Sequence, residues 1–258
     1  MKISEIEAFL NERFPRSLAC EWDNDGLLVC PDREREVRLV ITCLDVTLSV
    51  IHKAIESGAE LILSHHPLLF HPLNRISEDD LAGQKILLLI RHGISVLSLH
   101  TRFDGAPGGL NEHFAKSLGV CVEEHVALLP EEPHIGDLGV LSERMMPEDL
   151  ARHAAAVLDA PVRLYSAGGS VERVAVSCGS GKDLVEPALE AGADAFISGD
   201  IPYHAAQSAV ERGMTVIDCG HHASENAAPD VFRRILQREF PELGVLALHE
   251  PLGGEIIG

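Results

Sequence analysis

Aromatic side chains are scarce in this chain of 258 residues: eight Phe, two Tyr and a single Trp make up 4% of it. Aliphatic packing must therefore supply the core, and 46% hydrophobic residues is ample for that. Basic residues are also few. Twenty-one Lys and Arg stand against 40 Asp and Glu, a formal net charge of −19. No run of Lys or Arg interrupts the excess, so nucleic acid and anionic lipid are not expected partners. No apolar run approaches the roughly 18 residues that a bilayer span needs. Met1 to Glu7 turns acidic at once, without the apolar stretch of a leader or anchor, and the expected location is the cytoplasm. Intrinsic disorder is excluded by an ordinary charged fraction of 24% beside that apolar content. The six cysteines, at 20, 30, 43, 121, 178 and 219, form no Cys-x-x-Cys pair. Most lie in apolar stretches, which argues against disulfides and against a thiolate zinc site. One excess remains: 14 His, more than all the aromatics together. Imidazole is the commonest metal ligand and titrates near neutrality.

Periodicity organises the chain into alternating elements. A helix is predicted to open on a capping box, Ser4 with Glu7, and to stop at Pro15. Then follow a strand over Arg38–Leu44, a helix over Leu48–Ser57, a strand over Leu61–Ser64, a helix over Leu81–Arg91 and a strand over Ile94–Leu99. This β-α-β-α-β order predicts a parallel sheet covered by helices. A helix near Leu110–Leu118, two strands with a turn over Val120–Leu141 and a helix over Glu148–Leu158 lead to Val174, where the alternation restarts.

The restart is an internal repeat. Ala54-Ile55-Glu56-Ser57-Gly58-Ala59-Glu60-Leu61-Ile62-Leu63-Ser64 aligns without gaps on Ala188-Leu189-Glu190-Ala191-Gly192-Ala193-Asp194-Ala195-Phe196-Ile197-Ser198, an offset of 134 residues. Gly93-Ile94-Ser95-Val96-Leu97 then recurs as Gly213-Met214-Thr215-Val216-Ile217, an offset of 120. A Gly-capped helix running into a strand is common in α/β chains. Recurrence of the following strand favours two similar α/β lobes, expected over residues 1–120 and 121–258, with mostly parallel sheets.

Unusual polar clusters fall where predicted strands end. One strand runs into His65-His66-Pro67, the next into His100-Thr101-Arg102-Phe103-Asp104, a third into Gly199-Asp200 and a fourth into Gly220-His221-His222-Ala223-Ser224-Glu225. In open α/β sheets ligands bind outside the carboxyl ends of the strands. Imidazoles and carboxylates without thiolate suit a first-row divalent ion, Zn, Mn, Fe, Co or Ni, and a carboxylate that bridges lets two ions share a site. Glu225 lies one helical turn after His221, so both can address one ion; the three-residue spacing from His222 leaves that residue open too. Adjacent His65 and His66 diverge in an extended segment and share a cluster only if the backbone turns, which Pro67 favours. His52, His92, His113, His125, His134, His153 and His249 are read as ordinary, and His71 and His204 as intermediate. Gly179-Ser180-Gly181-Lys182-Asp183 has some character of a phosphate loop, without its upstream Gly and its hydroxyl after Lys; an anion at the following helix is the weaker expectation there.

Leu63 to Pro67, His100 to Asn111 and Gly220 to Glu225 resemble the signatures of the Nif3-like family, also described as GTP cyclohydrolase 1 type 2 homologues. Glu21-Trp22-Asp23-Asn24-Asp25-Gly26-Leu27-Leu28-Val29 and Leu44-Asp45-Val46-Thr47 are similar to its N-terminal motifs, and the likeness runs nearly end to end. It implies two α/β lobes with a dinuclear metal site between them, and a homohexameric ring, a trimer of dimers. The implied ligands are His65, His66, Asp104, His221 and Glu225, with Asp104 and Glu225 as bridging carboxylates and His100 beside the metals. Arg102-Phe103 stands where the family usually has Asn-Leu, and Asn111-Glu112 where it usually has Asn-Asp. A cation at Arg102 beside the site is expected to affect which anion is accepted. The family usually has an aromatic at the position of His222, which favours His221.

The leading expectation is a metal-dependent hydrolase with two divalent ions per chain, His100 moving the proton. Its small-molecule substrate would be GTP, opened at the purine imidazole ring with release of formate, or another phosphate ester or C–N bond. The alternative is a non-enzymatic metal-binding regulatory or scaffold ring. A serine nucleophile finds no support, since no Gly-x-Ser-x-Gly elbow is present.

Overall fold

Helix α1 (Ile3–Arg13) ends ahead of Pro15 as expected, but its cap is displaced. Met1 and Lys2 run antiparallel to Glu36 and Val37, so the backbone stays extended through Lys2 and turns helical at Ile3. The Lys2 N–H donates to Glu5 Oε2 at 2.6 Å, and the Ser4 hydroxyl donates to Glu34 instead of capping. The computed structural model describes residues 1–127 and 134–251. Along the chain follow β1 (Gly26–Val29), β2 (Leu39–Cys43), α2 (Leu48–Ser57), β3 (Leu61–Ser64), α3 (Leu81–His92), β4 (Ser95–Ser98) and the single turn α4 (Thr101–Asp104). Next come α5 (Leu110–Ser117), β5 (Val120–Ala127), β6 (His134–Met145), α6 (Pro147–Leu158), β7 (Arg163–Tyr165), β8 (Val171–Ser180) and α7 (Val185–Glu190). The chain closes with β9 (Ala195–Gly199), α8 (Tyr203–Glu211), β10 (Thr215–Asp218), α9 (His221–Glu225), α10 (Ala228–Glu239) and β11 (Gly244–Ala247). The turn expected between β5 and β6 lies outside the described residues. Among the described residues no helix is long and apolar enough to cross a membrane.

Two compact units result: the described parts of Met1–Phe103 with Ala228–Gly258, and of Asp104–Ala227. The expected boundary at residue 120 is corrected at both sides. Helix α5 packs on β5, β6 and β8 and so belongs to the second unit, while the C-terminal α10 and β11 return to the first. The return has a physical cause. β2 offers an open parallel edge that β11 occupies from Gly244↔Leu39 to Ala247↔Thr42, and α10 buries Val231, Phe232 and Leu236, the Phe232 ring lying 4.4 Å from that of Phe103.

The fold is mixed α/β with two sheets, parallel at their centres as expected. The first has the strand order β1-β4-β3-β2-β11 and the second β5-β6-β8-β9-β10-β7. The repeat is carried into the strand register. Val40 pairs with Leu61 and Leu61 with Ser95 in the first sheet; Val174 pairs with Ala195 and Ala195 with Thr215 in the second. These are the same positions at offsets of 134, 134 and 120 residues. Even the carboxylate after each Gly-capped helix is reused: Glu60 Oε2 accepts from Arg38 N and Leu39 N at 3.0 and 3.1 Å, and Asp194 Oδ2 from Glu172 N and Arg173 N at 2.9 Å each. β3 and β4 are buried along their whole length, as befits strands covered on both faces. Each sheet has its own core, Ile41, Val50, Ile62, Leu89 and Val96 in the first unit, Leu138, Ala188, Phe196, Met214 and Val216 in the second.

Candidate metal centre

In the first unit the parallel ladder continues beyond the strand ends and sets the imidazoles. His65 N and His66 N donate to Cys43 O and Leu44 O at 3.1 and 2.9 Å, and Leu99 N donates to Ser64 O. The Ser64 and Ser98 hydroxyls meet at 2.7 Å, and Ser64 Oγ donates to His66 O at 2.9 Å, bending the chain back at the strand end. That bend is why two adjacent histidines share a cluster: the His65 and His66 rings lie 5.1 Å apart, and His100 lies 5.3 and 5.8 Å from them. One nitrogen from each of the three lies within 4.8 Å of the others.

Each imidazole is held from behind at Nδ1. His65, fully buried, bonds Leu99 O at 2.9 Å; His66 bonds Asp45 Oδ1 at 2.9 Å; His100 bonds Asp23 Oδ1 at 2.9 Å. An oxygen acceptor at Nδ1 selects the tautomer whose Nε2 lone pair is the donor, the arrangement that orients metal-binding histidines. Asp23 is itself anchored by Thr101 N at 3.0 Å and Thr101 Oγ1 at 2.5 Å. Burial pushes its carboxyl up, but His100 and the two Thr101 bonds outweigh that and hold it below its ordinary range.

Arg102 corrects an expectation. It does not project beside the imidazoles but is fully buried, its Nε 2.5 Å from Asp25 Oδ2 and Nη1 donating to Asn11 Oδ1 and Phe14 O at 2.7 and 2.9 Å. Burial pushes Asp25 up and Arg102 down, each against the partner's opposite charge. Its guanidinium is structural and is in no position to select anions.

The second unit gathers carboxylates. At the end of β10, Gly220 with φ +76° turns the chain into α9, where His221 Nε2 meets Glu225 Oε2 at 3.1 Å one turn on, the expected spacing. His221 Nδ1 bonds Asp200 Oδ2 at 2.8 Å, and Asp200 has the left-handed φ of +53°. Both nitrogens of His221 thus face carboxylate oxygens. Glu225 is buried against Gly179, whose missing side chain makes the room: a Cβ there would collide with Glu225 Oε1. Asp104 Oδ1 accepts from Cys178 Sγ at 3.4 Å. Burial, then the charges of Asp104 and Glu225, push the Cys178 thiol well up, so it stays protonated and is no thiolate ligand.

Two amides of the Gly179–Asp183 loop are engaged within the fold. Gly179 N donates to Ser224 Oγ at 2.8 Å and Gly181 N to Gly199 O at 3.1 Å, and a carboxylate faces the loop. Of the predicted residues, His65, His66 and His100 converge in the first unit, and Asp104, His221 and Glu225 surround Cys178 and Gly179 in the second. His71 and His204 are exposed, their rings beside Phe70 and Tyr203. The supporting Asp23, Asp45 and Asp200 were not singled out as functional, although Asp23 and Asp45 lie in the N-terminal motifs and Asp200 at a strand end.

The model of the Duf34/NIF3 (NGG1p interacting factor 3) family matches residues 1–250. The chain is 34% identical over 231 residues to a Clostridium perfringens protein named GTP cyclohydrolase 1 type 2 homolog, covering 87% of each. It is 32% identical to a Helicobacter pylori protein named GTP cyclohydrolase 1 type 2, covering 91% of each. In fold it matches a Bacillus cereus protein related to NIF3 with a TM-score of 0.90 at 23% identity, over 100% of this chain and 99% of that one. The chain belongs to the Duf34/NIF3 family.

Proposed function

We propose that the protein is a metal-dependent hydrolase of the cytoplasm with a dinuclear divalent centre. His65, His66, Asp104, His221 and Glu225 are its ligands, with Zn, Mn, Fe, Co or Ni as the ion. The observation that carries this reading is the common treatment of four histidines: His65, His66, His100 and His221 each have Nδ1 on an oxygen at 2.8–2.9 Å, which directs Nε2 as the donor. Asp104 and Glu225 are the carboxylates suited to bridging. When bound, two such ions lower the pKa of a water and polarise the substrate oxygen on which charge develops.

The remaining work falls to the chain. His100, bonded through Nδ1 to Asp23 Oδ1 and with its ring 5.3 and 5.8 Å from those of His65 and His66, takes a proton and returns it to a leaving group. GTP is the first substrate to try, because the Helicobacter pylori relative carries that name; other nucleotides, phosphate esters and C–N bonds follow. A homohexamer, a trimer of dimers, belongs to the same reading, and light scattering should give about six times 27.9 kDa.

Turnover of this substrate panel by protein reconstituted with each ion tests the proposal. Metal-dependent turnover that vanishes in His65→Ala and falls about 10²-fold in His100→Ala, with metal retained in the latter, is expected. No metal-dependent turnover of any of them by the unmutated, metal-loaded protein would contradict it.

A further inference from the structure

Trp22 and Phe70 are 52% and 43% exposed in a chain with few aromatics. Their ring centroids lie 6.0 Å apart, tilted at 59°, and both also lie against His100, at 6.0 and 6.2 Å. Leaving two large rings side by side in water forgoes the free energy of burying them. The surrounding backbone nevertheless holds them there. Asn24 Nδ2 donates to Leu69 O at 2.5 Å, tying the loop of Trp22 to the loop of Phe70. Three consecutive residues divide the labour: Trp22 supplies a ring, Asp23 anchors His100 and Asn24 fastens the neighbouring loop. A surface ordered in advance in this way binds a flat partner at little entropic cost.

We infer that Trp22 and Phe70 form a stacking platform for a planar heteroaromatic ring, of the nucleobase class, which brings an edge of that ring to His100. The ring is the handle because the protein as a whole, at −19, opposes an anionic tail. Stacking on aromatic side chains is tolerant of ring identity, so Trp22 and Phe70 select flatness and the residues around His100 select the bond. The inference rests on the proposed function only in taking His100 as the proton carrier; ring binding itself requires no turnover.

Trp22 is the single tryptophan, so its emission reports a ring stacked on it. Guanosine, adenosine and cytidine, with ribose as the ring-free control, are titrated into metal-loaded and chelator-treated protein, and the metal content of every sample is measured. Saturable quenching by the nucleosides and none by ribose is expected, with affinity weakened about 10-fold in Phe70→Ala at unchanged metal content. Absence of quenching by all three nucleosides, or equal affinity in Phe70→Ala, would overturn the platform. Emission that shifts with protein concentration in the absence of nucleoside would also overturn it, since a second copy would then cover the rings. Quenching that persists in protein that never binds metal would retain the platform while removing the dinuclear centre, so the two failures are distinct.

Discussion

The β2-β3-β4 and β8-β9-β10 layers are one design used twice, and they part where the strands end. Register, glycine-capped helices and the carboxylate that clamps two backbone N–H groups recur position by position. Beyond Ser64 and Ser98 the first layer emits His65, His66 and His100; beyond Gly199 and Asp218 the second emits Asp200, His221 and Glu225. Imidazoles predominate beyond the first layer, with Asp104 at the end of α4, whereas His221 is flanked by Asp200 and Glu225 beyond the second. The strands carry the fold, and their carboxyl ends, where side chains are not needed for sheet packing, carry the chemistry.

The largest way to break this symmetry lies in the first unit. Asp25→Leu strands the fully buried Arg102 guanidinium without its counter-charge, and should cost about 3–5 kcal/mol, read from the urea midpoint. A loss within experimental scatter would mean that the pair is not a structural anchor. The duplicated clamp sharpens the comparison: Glu60→Ala and Asp194→Ala each forfeit two charge-assisted bonds to backbone N–H and should cost similar amounts, about 1–3 kcal/mol. Clearly unequal losses would show that the two copies share geometry without sharing energetics.

A smaller effect separates the units by pH. Asp23 is held below its ordinary range in the folded state, so its stabilising contribution is present above about pH 4 and is lost as pH falls through the folded value. The stability gap between the unmutated protein and Asp23→Asn should therefore be full above about pH 4 and shrink below it. A gap that widens on acidification would reverse the assignment.

Much of this was legible in residues. The repeat was visible because glycine must cap a helix that turns into a strand, and Gly58 and Gly192 both adopt left-handed φ, +72° and +76°. The His and Glu positions stood out because strand ends seldom concentrate such side chains by chance. What stayed hidden was long-range. That β11 closes onto β2, 205 residues earlier in sequence, is a choice among sheet edges that local pattern cannot make. Arg102 read as a cation near the site because nothing local says that Asn11, Phe14 and Asp25 enclose it. Ser4 with Glu7 had the spacing of a cap, but pairing of Lys2 with Glu36 ended the extended segment two residues early. Nothing local says that the missing side chain at Gly179 makes room for Glu225.

As proposed, His65, His66, Asp104, His221 and Glu225 all serve as metal ligands. Elemental analysis after reconstitution, on the unmutated protein beside His65→Ala and Glu225→Ala, tests it most directly. About two divalent ions per chain, with at least one lost when either unit alone is altered and nearly none lost in His222→Ala, is the predicted result. Well under one ion per chain in folded, reconstituted protein, or metal content indifferent to both substitutions, would contradict it.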